Sequence, residues 1–322
     1  MHSSEIRYFL VVATTGSLSA ASQHLFVAVS AISRQIQRLE ERIGVPLFER
    51  HARGMVLNDA GRILENHVRK SMMDMDAAVA EIQGLKASRR ALLRIGCTEG
   101  MAFDLLPTLF ARFRQHDPDT TFALKVDSAM QVSQMIRNGE VDIALQFALA
   151  PEQGVNVELA LPAPLMLLMS DNHPLAQQSI QLADLHPFPL ALPESSTTLR
   201  QLFDLSCRMN GTFLEPTLCC NNFTTLYYYA MSTPGAVTAC SFYSVMYKCL
   251  QEPMRLKPLN IKQLDQRSLQ VQTLAGKAHA PPQQAFLDFM TAELRQGEAY
   301  YLRQVVGQYP RAESGGEEAC QT

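Results

Sequence analysis

Near residue 90 the periodicity of the chain changes, and no single packed layer accommodates both sides of the change. Before it, apolar residues recur at helical spacing: Ile6, Phe9, Leu10 and Ala13, then Ile32, Ile36, Leu39 and Ile43. From Ala91 the pattern becomes strand and helix in alternation. "LLRIGCTEG", "TTFALKVDS", "VDIALQF", "LMLLMS", "AVTACSF" and "LQVQTLA" read as strands. Helices are expected over Met101–Gln115, Gln131–Asn138 and Thr198–Asn210, with "PPQQAFLDFMTAELR" as the last, proline at its start. Such alternation predicts parallel βα units. A helical head therefore precedes an α/β body, and 322 residues suffice for both at roughly 150 per domain.

The head divides at its breakers. Gly16 stops the first helix, and Ser19 is the expected N-cap of a short second helix ending at Leu25. A turn at 26–28 leads to a third helix closed by Gly44. "VPLFERHARGMVLND" then reads as a hairpin with Arg53-Gly54 at its tip. Asn58 caps a long helix reaching about Ala87, along which Leu64, Val68, Ser71, Met75, Ala78, Ile82 and Leu85 alternate four and three apart. That spacing is a heptad seam, with Ser71 its only polar member, and it points to a dimer.

Two short helices, a tight turn and a hairpin form a winged helix-turn-helix pattern. In it the second helix of the pair enters the DNA major groove. Its apolar positions 32, 36 and 39 face inward, while Ser30, Ser33, Arg34, Gln37 and Arg38 face the other way. A solvated helix face has the same amphipathy, but serines are poor helix formers. Their density favours contact with phosphates and base edges, where arginine can bond guanine through two donors. Charge agrees: residues 1–90 hold 12 lysines and arginines against 9 acids, the remainder 16 against 22.

Apolar residues are 47% of the chain and charged residues 18%, which suits a soluble globular protein with a real core. Seven cysteines without CxxC spacing argue for reduced thiols rather than a disulfide framework. The N-terminus carries Glu5 and Arg7 and lacks a signal-peptide apolar run, and no apolar window is long enough for a membrane helix. A cytoplasmic location is expected. There is no GxSxG, no phosphate loop and no His/Glu zinc spacing, so neither an enzyme nor a metal or other cofactor is expected.

"RYFLVVATTGSLSAASQHL", "SAISRQIQRLEERIGVPLFER" and "LNDAGR" closely resemble the N-terminus of LysR-type transcriptional regulators, nearly continuously over Ile6–Arg62. The remainder resembles that family more loosely, through a linker helix, "GEVDIAL" and "FLDFMTAEL". The resemblance implies a fold class: an N-terminal all-α winged helix-turn-helix with a long linker helix, then an α/β two-lobed periplasmic-binding-protein-like effector domain. The boundaries it suggests are 1–60 for DNA binding, 61–89 for the dimerising linker and 90–306 for the effector domain. Lobe I would hold about 91–161 and 268–306, lobe II about 162–267, with 307–322 a disordered tail. Implied partners are double-stranded promoter DNA, a small-molecule effector, a homodimer assembling to a homotetramer, and RNA polymerase. Recognition-helix contacts fall on Val29, Ser30, Ser33 and Arg34, and wing contacts on Arg50 and Arg53. Where the family often has Ser-Gln-Pro, this chain has Ala28-Val29-Ser30. Ala28 cannot cap, at a cost of about 1 kcal/mol, and Val29 can meet a thymine methyl but not bond adenine as glutamine would.

In this family the effector sits between the lobes and is often a small acid. Candidate pocket residues, at strand ends and helix starts, are Thr98, Glu99, Gln146, Phe147, Ser196, Thr197 and Thr198. "ESSTTLRQ" puts hydroxyls and free amides at a helix N-terminus, which suits an anion. One rival is a redox-responsive regulator using Cys207, Cys219 and Cys220. "TLRQLFDLSC" keeps Leu199, Arg200 and Cys207 of the peroxide-sensing branch, but Thr198 stands at the first cysteine's place. Adjacent Cys219 and Cys220 would form a strained disulfide. The other rival, a solute-binding module without a DNA role, leaves residues 1–90 unexplained.

Overall fold

The computed structural model describes residues 3–51, 54–84, 91–150, 152–259, 267–301 and 303. The chain divides into two compact units, Met1–Arg89 and Arg90–Thr322.

In the first unit, helices α1 (Ser4–Thr15), α2 (Leu18–Leu25) and α3 (Val29–Ile43) precede a hairpin of β1 (Phe48–His51) and β2 (Gly54–Leu57), then α4 (Asp59–Gly84). Phe9, Val12, Ala21, Ile32, Ile36, Leu39 and Leu47 form its core, with the Phe9 and Phe48 rings 5.4 Å apart. The cap of α2 is Ser17, whose hydroxyl accepts from the Ala20 amide, and not the expected Ser19. Ser17 is extended (φ −150°), as an N-cap must be, whereas Ser19 is already inside the helix. Ala28 starts α3 without a side-chain cap, and the Ser22 hydroxyl braces the preceding turn through the Val27 carbonyl at 2.6 Å. Asn58 caps α4 by accepting from the Gly61 amide (2.8 Å) and donates to the Pro46 carbonyl (2.8 Å). The seam positions Ala78 and Ile82 lie on α4 with side chains outside the description, and Leu85 lies outside the described residues.

The second unit contains two five-stranded sheets. The first has β3 (Leu92–Cys97), β4 (Thr121–Val126), β5 (Ile143–Ala148), β6 (Val155–Pro162) and β12 (Ser268–Leu274), in the order β4-β3-β5-β12-β6. The second has β7 (Met166–Ser170), β8 (Leu190–Pro193), β9 (Leu218–Cys220), β10 (Val237–Cys240) and β11 (Met254–Pro258), in the order β11-β7-β10-β8-β9. Helices α5 (Glu99–Ala102), α6 (Leu105–His116), α7 (Ala129–Arg137) and α10 (Pro281–Tyr301) accompany the first sheet; α8 (Thr198–Met209) and α9 (Phe223–Ser232) accompany the second.

Expected βα units appear as parallel pairs β3–β4, β3–β5, β8–β9 and β8–β10. The sheets are nonetheless mixed. β12 runs antiparallel to both β5 and β6, and β7 runs antiparallel to both β10 and β11. The run 165–169 is apolar throughout because both faces of β7 are covered: Leu165, Leu167 and Met169 face one core, Met166 and Leu168 the other.

Gly61, in the first turn of α4, lies against the Leu47 carbonyl oxygen, which a Cβ there would meet at 2.1 Å. Gly61→Ala is expected to destabilise the first unit by about 1–3 kcal/mol through this backbone clash. Chemical denaturation of the full chain checks it; an unchanged first-unit transition would show that the wing yields without cost.

Candidate functional site

On α3 the buried Ile32, Ile36 and Leu39 anchor one face, which leaves the other to solvent. Ser30, Arg34, Gln37 and Arg38 are exposed, Val29 is 40% exposed at the helix start, and Ser33 is half-buried. Arg34 folds back so that Nε donates to the Ser30 carbonyl at 3.3 Å, and Gln37 donates to Glu41 at 3.2 Å. These are exposed, local bonds that competing acceptors can replace. Arg50 belongs to β1, with its side chain outside the description, and Arg53 lies outside the described residues. Phe26 escapes any sequence argument. It closes α2 in the left-handed region (φ 55°) and is 95% exposed, beside the start of α3.

The second unit holds a cavity of about 460 Å³ where the two sheets face each other across the strand ends. Thr98, Glu99, Phe147, Ser196, Thr197 and Thr198 all line it. Gln146 does not. Successive strand residues point to opposite faces, so with Phe147 turned to the cavity Gln146 is turned away. Its amide donates instead to Ser133 and Gln272, both at 2.9 Å.

Helix starts gather at this cavity because it lies at the carboxyl ends of the parallel strands. Ser128 caps α7, Thr197 caps α8 by accepting from the Arg200 amide at 3.2 Å, and Asn222 caps α9. The other first-turn amides of these helices lack intrahelical acceptors, and the helix dipoles add positive potential. Glu99 accepts from the Asn222 side-chain amide at 2.7 Å, which links the two lobes across the opening.

Arg267, at the start of β12, carries no signal in the sequence, since "DQRSLQVQ" reads as an ordinary strand entry. It is only 4% exposed and lines the cavity, its guanidinium carbon 3.6 Å from the centre of the Phe147 ring. Among the described residues its Nε and Nη1 have no hydrogen-bond partner, and neither has the buried Thr98 hydroxyl. Burial pulls the guanidinium down to about 9, so it keeps its charge at neutral pH.

The three cysteines of the redox alternative are divided between α8, which carries Cys207, and β9, which carries Cys219 and Cys220. Cys207 is buried on α8, and burial pushes its thiol up. Cys219 is exposed, with Sγ 3.6 Å from Arg200 Nη1, and Cys220 lines the cavity. Among the described residues no group of three or more His, Cys, Asp or Glu side chains is placed to hold a metal ion. No described helix is long and apolar enough to cross a membrane.

Comparison with known proteins follows the same division. Residues 3–62 match the bacterial regulatory helix-turn-helix protein, lysR family, and residues 86–295 the LysR substrate binding domain. The chain is 32% identical over 209 residues to the transcriptional dual regulator GltC of Bacillus subtilis, covering 64% of this chain and 70% of that one. It is 31% identical over 204 residues to a probable RuBisCO transcriptional regulator of Synechocystis, covering 62% of this chain and 59% of the relative, so it spans under two thirds of that relative's length. Among solved structures, a full-length OxyR variant from Pseudomonas aeruginosa superposes with a TM-score of 0.57 at 18% identity, over 98% of this chain and 100% of that one. Full-length CbnR complexed with its target DNA gives 0.54 at 18% identity, over 92% and 100%. With a helix-turn-helix head and a two-lobed α/β body each matched in its own right, the chain belongs to the LysR family of bacterial regulators.

Proposed function

We propose that this protein is a sequence-specific, DNA-binding transcriptional regulator controlled by a small organic acid bound between the two lobes. The observation that carries the reading is the α3 surface: Ser30, Arg34, Gln37 and Arg38 stand exposed opposite a fully apolar inner face. Residues 1–60 would read promoter DNA, 61–89 would dimerise, and 90–306 would bind the effector, with a homotetramer working on RNA polymerase in the cytoplasm and no catalytic role. Support for a DNA target comes also from CbnR, a structural relative solved with its target DNA. Support for an acid comes from the helix starts around the cavity, with Thr198 beginning α8.

Arg34→Ala is expected to weaken specific binding by about 1–3 kcal/mol and to relax one base position, as loss of a guanine contact would. Arg53→Ala should weaken all sequences alike and flatten the salt slope by about one, as loss of a wing phosphate contact would. Titration of both variants on specific and scrambled duplexes at several salt concentrations tests this. Unchanged affinity for both would remove the DNA assignment.

Met75 is exposed on α4. Met75→Glu together with Ile82→Glu places carboxylates in the proposed dimer seam, where burial without partners is costly. Dimerisation and operator binding should fall together; sedimentation of an intact dimer would show that the seam lies elsewhere.

Thr198→Val keeps shape and β-branching while removing a hydroxyl. If that hydroxyl holds the acid, affinity should fall by on the order of 1.5–3 kcal/mol, roughly ten- to hundredfold. The transcriptional response should then need proportionately more effector, because a ligand shifts the regulator only by its differential affinity for two states. Calorimetry with an acid found by screening decides it, and parental affinity would leave the Ser196–Thr198 cluster as a helix cap only.

A further inference from the structure

Arg267 holds a buried positive charge whose Nε and Nη1 have no acceptor among the described residues, and it lines the cavity. Folded chains rarely keep such a group, since a buried charge costs heavily unless it is paired and hydrogen-bonded. The Phe147 ring covers the guanidinium by cation–π contact but offers its N–H edges nothing in their own plane. Its titratable neighbour Cys240 is held as the neutral thiol by burial and so supplies no counter-charge. No carboxylate is bonded to it among the described residues. Beside the same cavity the Thr98 hydroxyl is also buried, without a partner among the described residues. Across the opening, in the other lobe, lies the start of α8, a 12-residue helix.

We infer that the effector is a small dicarboxylic acid anchored at both ends: one carboxylate on the Arg267 edge and the Thr98 hydroxyl, the other on the first turn of α8. The inference rests on the organic-acid reading above and narrows it. A carboxylate oxygen can accept a charge-assisted hydrogen bond from the unpaired Nε–H or from Nη1, which lie on different edges of the guanidinium plane. The carboxylates of Glu99, Asp127 and Glu194 also line the cavity. Asp127 and Glu194 are exposed, so water screens them, and the half-buried Glu99 is engaged by the Asn222 amide, while Arg267 acts in a low-dielectric setting. Arg267 also sits where the chain returns from one lobe to the other, its carbonyl accepting from the Ala163 amide at 2.9 Å. A ligand held by this residue and by α8 would tie the second lobe to the crossing itself.

The test uses the full chain with succinate, glutarate and adipate, their monomethyl esters, and inorganic phosphate, read by calorimetry and thermal melting. At least one diacid should bind the parent about tenfold or more tightly than its monoester. Arg267→Met should lower that affinity by about ten- to hundredfold, to the monoester's level. It should also melt higher than the parent in buffer alone, because an unpaired buried charge has gone. Arg267→Lys, which keeps charge but not the planar fork, should fall between them. Equal binding of diacid and monoester, preference for phosphate, parental affinity in Arg267→Met, or a lower melting temperature for that variant in buffer would each overturn the assignment. An acid whose binding is weakened by Thr198→Val but not by Arg267→Met would overturn the role of Arg267 and leave the organic-acid reading standing. No binding by any acid or ester would end both.

Discussion

The second unit depends on one pairing, the insertion of β12 between β5 and β6. The chain leaves the first sheet after β6, builds the whole second sheet, and returns so that Ser268 pairs with both Ala148 and Pro162. The Ala163 amide and the Arg267 carbonyl are bonded where the two crossing segments meet. Because β12 is antiparallel to its neighbours, its beginning lies at the carboxyl end of β5. In the second sheet, the beginning of β7 pairs with the end of β10, Met166 opposite Cys240. Both sheets therefore present the carboxyl ends of their parallel strands to the crossing. A cleft at that place, ringed by helix starts, follows from connectivity alone.

That arrangement sets the electrostatics of the cleft. Amides and hydroxyls at the starts of α7, α8 and α9 bring partial positive charge, and Arg267 adds a full one where water does not reach. Exposed acids share the lining, so the sign of a site cannot be taken from a count of charges. Burial decides the weight of each. The Glu99–Asn222 bond, spanning the lobes in the same cavity, is exposed and replaceable, as a contact must be if the lobes are to adjust around a ligand.

In the first unit the division of labour is simpler. Ile32, Ile36 and Leu39 of the apolar face of α3 are buried, while Ile43 at its end is 42% exposed, and the wing is set by backbone contacts that tolerate no side chain at Gly61. Bonds from Asn58 and Glu40 to the segment around Leu47 fix the path between α3 and the hairpin. The polar face of α3 is consequently presented by a rigid support, which is what reading base edges demands.

Local physics made much of this legible in the sequence. The three-four spacing of Ile32, Ile36 and Leu39, the closing Gly16 and Gly44, and the cap at Asn58 each depend on residues a few positions apart. So does the strand-helix alternation after residue 90. Resemblance over Ile6–Arg62 added the family, and the pattern alone put Thr98, Phe147 and Thr198 at strand ends and helix starts, where the cavity lies. Only tertiary structure turned Gln146 away from the cavity, because the facing of β5 is set by its partners and not by its own residues. Only tertiary structure gave Arg267 its meaning. The Phe147 ring that covers its guanidinium is remote in sequence, and long-range contact of that kind leaves no periodic trace in the chain.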